Sequence, residues 1–534
     1  MKKARRIAAM IAAMAMAATM AVPAMSFSAG AEGAKVSITG LSESVERTFE
    51  VYQVFTGTYN SDEGTFSEMK WGSGVTSYDG TAVAADTLVA DSVLENLGDD
   101  ARAIVEKLAL STVKKEVKST GDSLTIDGLA DGYYVIKDVT NMDGKDDANS
   151  AWIVQVAAAG KTTEIAVKKQ TPSVDKQVQD EAADKDLNAD ADGWGESADH
   201  AINETFQFKL TATIPADDNY AAYDSYKLVF NDTMSEGVTF EDIESVTITS
   251  ATLTDEKAIA LGDDDYDSNA TEGTANLTWS LTIEDVKALV NADEADIFGK
   301  EDITVEVIYN AHLNENAKIS TASGNNLDVN NNKVQLQYSN NPDNTGTGEN
   351  DLGETPEDYV WVFTYGVENT KYKISADEGN ELEGAGFTLY ADSAKTTAIK
   401  LIDNGDGTYT VADQNATSGT ITEMTSNAAG IFNIKGLDAG TYYLSETSVP
   451  ATYNAADDIT ITIGATHVEN TEGTAANLTL TKTNGKNDIV DTKNSTLPST
   501  GGIGTLMFVL CGGVAAGIAG VYLVSKKKTR EEEV

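Results

Sequence analysis

Along most of the chain, apolar and polar residues change places at every step. "TFQFKLTATI", "SYKLVF", "ANLTWSLTI", "DITVEVIY" and "KVQLQY" share this alternation, and "VWVFTYGV", "GFTLYAD", "GTYYLSET" and "DITITI" repeat it further on. A period of two puts one face of a strand in a core and the other in water. Many short strands with turn residues between them and few prolines predict an all-β chain of tandem sandwiches. One stretch departs from the pattern. "TAVAADTLVADSVLENLGDDARAIVEKLALSTVKKEV" lacks alternation and is rich in helix formers, which predicts one or two helices inserted in the first sandwich. A proline in "KKQTPSVDKQV" near 172 and the polar linker "YSNNPDNTGTGENDLGETPEDYVW" near 341–356 mark boundaries. The expected units are 32–171, 172–345 and 346–495. An internal echo relates the first to the third: "IDGLADGYYVIKD" and "IKGLDAGTYYLSET" both run Gly-Leu, turn, Gly, tyrosine pair, strand, acid.

The two ends read differently. Residues 1–31 have a basic start, an apolar stretch and small residues at Ala29-Gly30-Ala31, as in a secretory signal peptide. Cleavage after Ala31 fits the small-x-small rule, and cleavage after Ser26 is nearly as good. Residues 497–534 hold an apolar run, Ile503 to Val524, long enough for a transmembrane helix, and a basic "SKKKTR" behind it. Directly before the run stand Leu497, Pro498, Ser499, Thr500 and Gly501. Pro498 disfavours helix in the residue before it and Gly501-Gly502 keeps the chain open, so this pentapeptide can be gripped in extended form by a transpeptidase.

Composition narrows the function. The 534 residues carry 85 Asp or Glu against 38 Lys or Arg, a net charge of -47. Phosphate binding needs a basic footprint, so nucleic acid is excluded as a partner. The single cysteine, Cys511, lies in the C-terminal run, leaving an exported body without disulfides. No cofactor and no substrate site are expected, so the chain is not read as an enzyme. The histidines, His200, His312 and His467, are isolated and suggest neither a metal site nor a triad. "NADADGWGESAD" has calcium-loop spacing at Asn188, Asp190, Asp192 and Asp199, but it lacks the preferred first Asp, last Glu and flanking helices, so a solvated acidic loop is the better reading.

The pentapeptide, apolar run and basic tail resemble the LPxTG cell-wall sorting signal of Gram-positive surface proteins. "ELEGAGFTLYAD" and "GLDAGTYYLSETSVPATY" resemble the Cna protein B-type domain, an Ig-like sandwich. "VDKQVQD", "YKLVFNDTMSEGVTF", "VIYNAHLNENA" and "LQYSNNP" resemble the fimbrial isopeptide-formation domain. Together they resemble a sortase-assembled backbone pilin. The resemblance implies self-made isopeptide bonds, for which the chemistry is plain: an apolar site lowers a lysine's pKa and raises a carboxylic acid's, and proximity lets the neutral amine attack a carboxamide. In the middle unit it assigns Lys176, catalytic Asp232 and Asn340. In the third it assigns Lys371 and catalytic Glu446, with Asp491 or alternatively Asn470 as acceptor. In the first, Asp138 holds the acid position without a convincing asparagine, and no bond is expected.

Polymerisation implies one more lysine. A sortase cysteine would capture Thr500 as a thioester, and a lysine of the next subunit would resolve it. The tyrosine-proline-lysine of the usual pilin motif is absent. Lys168 sits before the "TP" junction, with Lys169 and Lys161 as alternatives. The implied partners are further copies of the chain, a pilus-assembling class C sortase, a housekeeping sortase, peptidoglycan, accessory pilins and host surface ligands. A monomeric wall-anchored adhesin is the alternative.

Overall fold

The computed structural model describes residues 33–531 apart from 44, 95–106, 120, 158–160, 168–169, 181–185, 218–219, 221–222, 224, 255–256, 294–296, 325–328, 342–351, 471–474 and 494–502. The signal segment 1–31, the sorting residues Leu497–Gly501 and Lys168 and Lys169 therefore lie outside the described residues.

Three strand-rich units follow one another. In the first, Ala34–Thr39 pairs in parallel with Thr162–Ala166 and antiparallel with Ser123–Leu129. That small sheet packs on a second one built around Thr48–Asn60 and Gly132–Asp138, with Val36, Ile38, Phe49, Val51, Ile126 and Ile136 between them. Within the expected helical insertion, residues 95–106 lie outside the described residues, and the flanks are short strands and one helical turn. Thr81–Ala82, Leu108–Leu110 and Lys115–Lys118 are strands, and Asp91–Leu94 is a single helical turn. The reason is visible in "LALSTVKKEV": Leu108 and Leu110 are buried two residues apart, and Val117 packs on the core from the edge of the larger sheet, so tertiary burial overrides helix propensity.

The middle unit is a sandwich of two seven-stranded sheets. Ser173–Gln179, Thr205–Ile214, Ile303–Leu313 and Val238–Thr249 lie in one, and Leu228–Met234, Asn330–Ser339, Thr278–Ile283 and Asp358–Phe363 in the other. "ITVEVIYNAHL" shows why it folds so: every second residue, Ile303 to Leu313, is buried. A helix, Val286–Asp293, was not foreseen in the sequence; its Val286 and Val290 fill the core one turn apart.

In the third unit Tyr365–Lys373 pairs in parallel with Lys486–Asp491, the arrangement that Ala34–Thr39 and Thr162–Ala166 have in the first. The facing sheet holds Gly386–Tyr390, Gly440–Ser448, Ile459–Glu469 and Ala476–Thr483. Asp358–Phe363 joins the two units, because Val360 and Val362 enter the middle core while Trp361 and Phe363 enter the third. The internal echo is structural as well. Gly132 and Gly440 share φ +155°, and the Tyr134 and Tyr442 hydroxyls each donate at 3.0 Å to the carbonyl four residues back, Ala130 and Asp438. This is the corner hydrogen bond of Ig-like sandwiches. It makes Asp138 and Glu446 equivalent positions.

The C-terminal helix, Ile503–Glu531, does not support the expected transmembrane segment. Among the described residues no helix is long and apolar enough to cross a membrane.

Candidate functional site

Strand periodicity turns a lysine inward in the middle unit. Lys176 and Val178 share the buried face of Ser173–Gln179, and Lys176 has no exposed surface. Its Nζ lies 5.0 Å from the centre of the Phe208 ring and 5.2 Å from that of Tyr309. From the facing sheet, Asp232 reaches into the same space, with Oδ2 2.5 Å from Lys176 Nζ. Nζ also donates to the Tyr309 hydroxyl at 2.9 Å, and that hydroxyl donates to Asp232 at 3.0 Å. Burial pushes the amine below its ordinary pKa, opposed by Asp232, and the same burial raises Asp232 and Tyr309. The pair therefore tends toward neutral amine and neutral acid.

Asn340 is not in this cluster. It follows Asn330–Ser339, and its Nδ2 donates at 2.7 Å to the Met142 carbonyl of the first unit. The asparagine that meets the cluster is Asn332, on the strand beside Asp232, with Met234 as its register partner. Asn332 is fully buried, and its Nδ2 donates to the Tyr309 hydroxyl at 2.6 Å. Eight residues of strand put Asn340 about 26 Å further on, which no side chain spans. "NNNK" hid the choice among three consecutive asparagines. The two-residue period of Asn332, Val334, Leu336 and Tyr338 was the signal that could have found it.

In the third unit Lys371 is again fully buried, with Nζ 5.3 Å from the Phe387 ring centre. It donates to Glu446 Oε2 at 3.1 Å and forms a close ion pair with Asp491. Parallel pairing brings Asp491 there, since its strand runs beside that of Lys371 in register Lys371 with Ile489. Glu446 is raised by burial, while a hydrogen bond from the Ala456 N–H at 2.7 Å works against the rise. Asn470, the alternative acceptor, follows Ile459–Glu469, and its N–H donates to the Ala475 carbonyl at 2.8 Å across the hairpin.

The first unit holds a different cation. Asp138 makes close ion pairs with Arg47, which also pairs with Asp147 and donates to the Ala148 carbonyl at 3.0 Å. Arg47 and Asp138 are almost completely buried, and nothing in the alternation around "SVERTFEV" marks Arg47 as an inward position. The strand equivalent to that of Lys371 turns Val36 and Ile38 inward. Among the described residues, the cation set against Asp138 is the Arg47 guanidinium and not an amine.

The remaining sequence candidates are dispersed. Lys161 is exposed ahead of Thr162–Ala166. Asp190 Oδ1 accepts from the Asp192 and Trp194 N–H groups at 2.9 and 3.0 Å, an Asx-type turn. Asn188 and Asp192 flank it, while Asp199 is fully buried in a strand. The spacing does not gather these four around one point. His467 is not isolated, because Asp180 and Asp199 lie against it.

Two family models match the chain. Residues 368–477 match the SpaA prealbumin-like fold domain, and residues 489–531 the LPXTG cell-wall anchor motif. The chain thus carries a cell-wall anchor motif behind a prealbumin-like domain. It is 25% identical over 379 residues to the trypsin-resistant surface T6 protein of Streptococcus pyogenes serotype M6, a match spanning 61% of this chain and 65% of that protein. Among solved structures, the T6 backbone pilin of serotype M6 S. pyogenes is 17% identical with TM-score 0.47, covering 87% of this chain and 99% of the other. The major pilin SpaD of Corynebacterium diphtheriae is 15% identical with TM-score 0.43, covering 86% and 98%. The anchor motif at 489–531 gives the chain its place at the wall of a Gram-positive cell.

Proposed function

We propose that the chain is the structural subunit of a covalently polymerised pilus and that its middle and third units each close one internal isopeptide bond. The observation that carries this reading is the pair of fully buried lysines, Lys176 and Lys371, each in hydrogen-bond contact with a buried carboxyl group in consecutive sandwiches of a wall-anchored chain. In the middle unit, the neutral Lys176 amine attacks the Asn332 carboxamide. Asp232 lends its proton to the departing nitrogen and recovers one from the new amide, so a Lys176–Asn332 bond forms and one ammonia leaves. In the third unit Lys371 attacks the Asp491 carboxyl, Glu446 shuttles the proton, and one water leaves. Neither step needs a cofactor or another protein. Each bond closes a loop of well over a hundred residues and so removes roughly 5 kcal/mol of unfolded-state entropy on the disulfide analogy. Both bonds also carry tension across a sandwich without loading its hydrogen bonds.

Assembly outside the chain follows from the sorting signal. A pilus-assembling sortase cleaves after Thr500 and passes the acyl group to a lysine of the next subunit, for which Lys168 is the first choice and Lys169 and Lys161 the alternatives. A housekeeping sortase then joins the last subunit to peptidoglycan. Arginine at the linking position stays protonated and cannot resolve a thioester. The test is a denaturing gel of wall extracts from the native host. A high-mass ladder is expected from wild type and its loss from Lys168→Arg, with monomer still attached to the wall. A ladder in the triple Lys161, Lys168 and Lys169→Arg variant would place the linkage elsewhere. No ladder in wild type would leave a monomeric wall-anchored adhesin.

A further inference from the structure

Where the middle unit meets the third, three buried groups converge that the lysine clusters do not use. Asp180 follows Ser173–Gln179, Asp199 ends Ser197–Asp199, and His467 lies near the end of Ile459–Glu469. Main-chain contacts hold the junction together: Asp186 bridges to His467, and the Leu187 N–H donates to the His467 carbonyl at 3.0 Å. Asp199 and His467 have no exposed surface and Asp180 has 4%. One ligand atom from each of the three lies within 4.8 Å of the other two.

Ser197 Oγ contacts Asp186 Oδ2 at 3.2 Å and His467 Nδ1 at 2.8 Å. With the hydroxyl proton on Asp186, the imidazole donates from Nδ1. In the neutral ring Nε2 is left with a lone pair. No hydrogen bond reaches Nε2, which faces Asp180 Oδ2 at 3.6 Å and Asp199 Oδ1 at 3.8 Å. These separations are long for hydrogen bonds. They are close to the spacing of donors around one tetrahedral ion, roughly 3.3–3.6 Å for bonds of about 2.0–2.2 Å. A cation between Nε2 and the two carboxylates turns these long separations into ligand bonds, beside the charge that His200 brings to Asp180 and the hydroxyl that Tyr365 brings to Asp199.

We propose that Asp180, Asp199 and His467 bind one divalent transition-metal ion of the zinc class, which staples the middle unit to the third. One nitrogen and two oxygens suit zinc, leaving a fourth position for water. Calcium wants six to eight oxygens, more than this pocket offers. Ser197 then acts as the outer partner that orients the ligating imidazole through its other nitrogen. The site crosses the junction, so it adds a non-covalent tie at a place that neither internal isopeptide bond reaches.

The test uses the full chain, purified in mild detergent and dialysed against EDTA. Titration with zinc is expected to show one saturable equivalent by calorimetry and a rise in melting temperature. Cobalt at the same site is expected to give the strong visible bands of a four-coordinate ion. His467→Gln should weaken binding of the first equivalent by more than the roughly 100-fold typical of losing an outer partner. Asp199→Asn should do likewise, while Asp192→Asn, at an exposed acid, should leave binding unchanged. Near-ultraviolet circular dichroism and an unchanged intact mass establish that each variant is folded. If a variant misfolds, the cobalt spectrum of wild type decides alone. Absence of a saturable equivalent, equal affinity in folded wild type and His467→Gln, or a six-coordinate cobalt spectrum would overturn the proposal.

Discussion

The first and third units share a corner, a parallel pair of first and last strands, and an acid at the same position, yet they treat that acid differently. Asp138 faces Arg47, while Glu446 faces Lys371. A guanidinium keeps its proton even when buried, so the first pairing is a permanent ion pair with hydrogen bonds. A buried ammonium can lose its proton, and what remains is a nucleophile. One change of cation thus separates a pairing that can only hold from one that can react. The middle unit makes the point independently, since Lys176, Asp232 and Asn332 reach the reactive arrangement on a different pattern of strands.

Four interventions would break or sharpen this contrast. The largest effect is expected from Asp232→Ala or Glu446→Ala, each of which should abolish one condensation. Calorimetric scans should show stability falling by about 5 kcal/mol for the lost loop closure, with a further loss in Asp232→Ala, where Lys176 loses its ion-pair partner, and a smaller one in Glu446→Ala, where Lys371 keeps Asp491. Asn332→Ala should likewise abolish the loss of ammonia, whereas Asn340→Ala should leave it intact; if the outcomes are exchanged, the assignment of the acceptor is wrong. Asp138→Ala should leave the mass chemistry untouched and still destabilise the first unit by about 3 kcal/mol, because a buried guanidinium loses one of its two carboxylates. Arg47→Lys puts an amine between Asp138 and Asp147, two carboxyls as in the third unit, so its intact mass should fall one water below that of the sequence change, whereas Arg47→Gln should lose none.

The smallest effect concerns a carboxyl whose nearest charges, among the described residues, are other carboxylates. Glu196 is pushed up to about 9 by burial and then by Asp358 and Asp175. Its folded pKa is above the unfolded value, so its contribution is present below about pH 4.5 and lost as pH rises toward 9. Glu196→Gln, always neutral, should therefore melt higher than wild type at pH 8 and no higher at pH 4. An equal difference at both pH values would show that shape rather than charge is responsible.

Much of this was legible in the sequence because alternation is a direct record of burial. "ITVEVIYNAHL" and "TFQFKLTATI" fold as they read, and the echo around Tyr134 and Tyr442 gave the equivalence of Asp138 and Glu446. Lys176, Asp232, Lys371, Glu446 and Asp491 come together as their motifs suggested. The failures have one physical origin: long-range pairing that no local pattern encodes. Strand register against Leu228–Met234 brings Asn332, and not Asn340, to the Tyr309 hydroxyl, and Arg47 is buried by contacts with residues some ninety positions away. Leu108–Leu110 and Lys115–Lys118, on the described flank of the insertion, read as helix because such short strands owe their burial to their neighbours. His467 looked isolated because its carboxylate neighbours come from the other unit.

The central claim is that buried lysine chemistry, and not the fold, distinguishes the units. Intact-protein mass spectrometry of residues 172–495 tests it most directly. The expected mass is that of the sequence less one ammonia and one water, with peptide mapping placing the crosslinks at Lys176–Asn332 and Lys371–Asp491. The full sequence mass, in protein that is folded, would contradict the account.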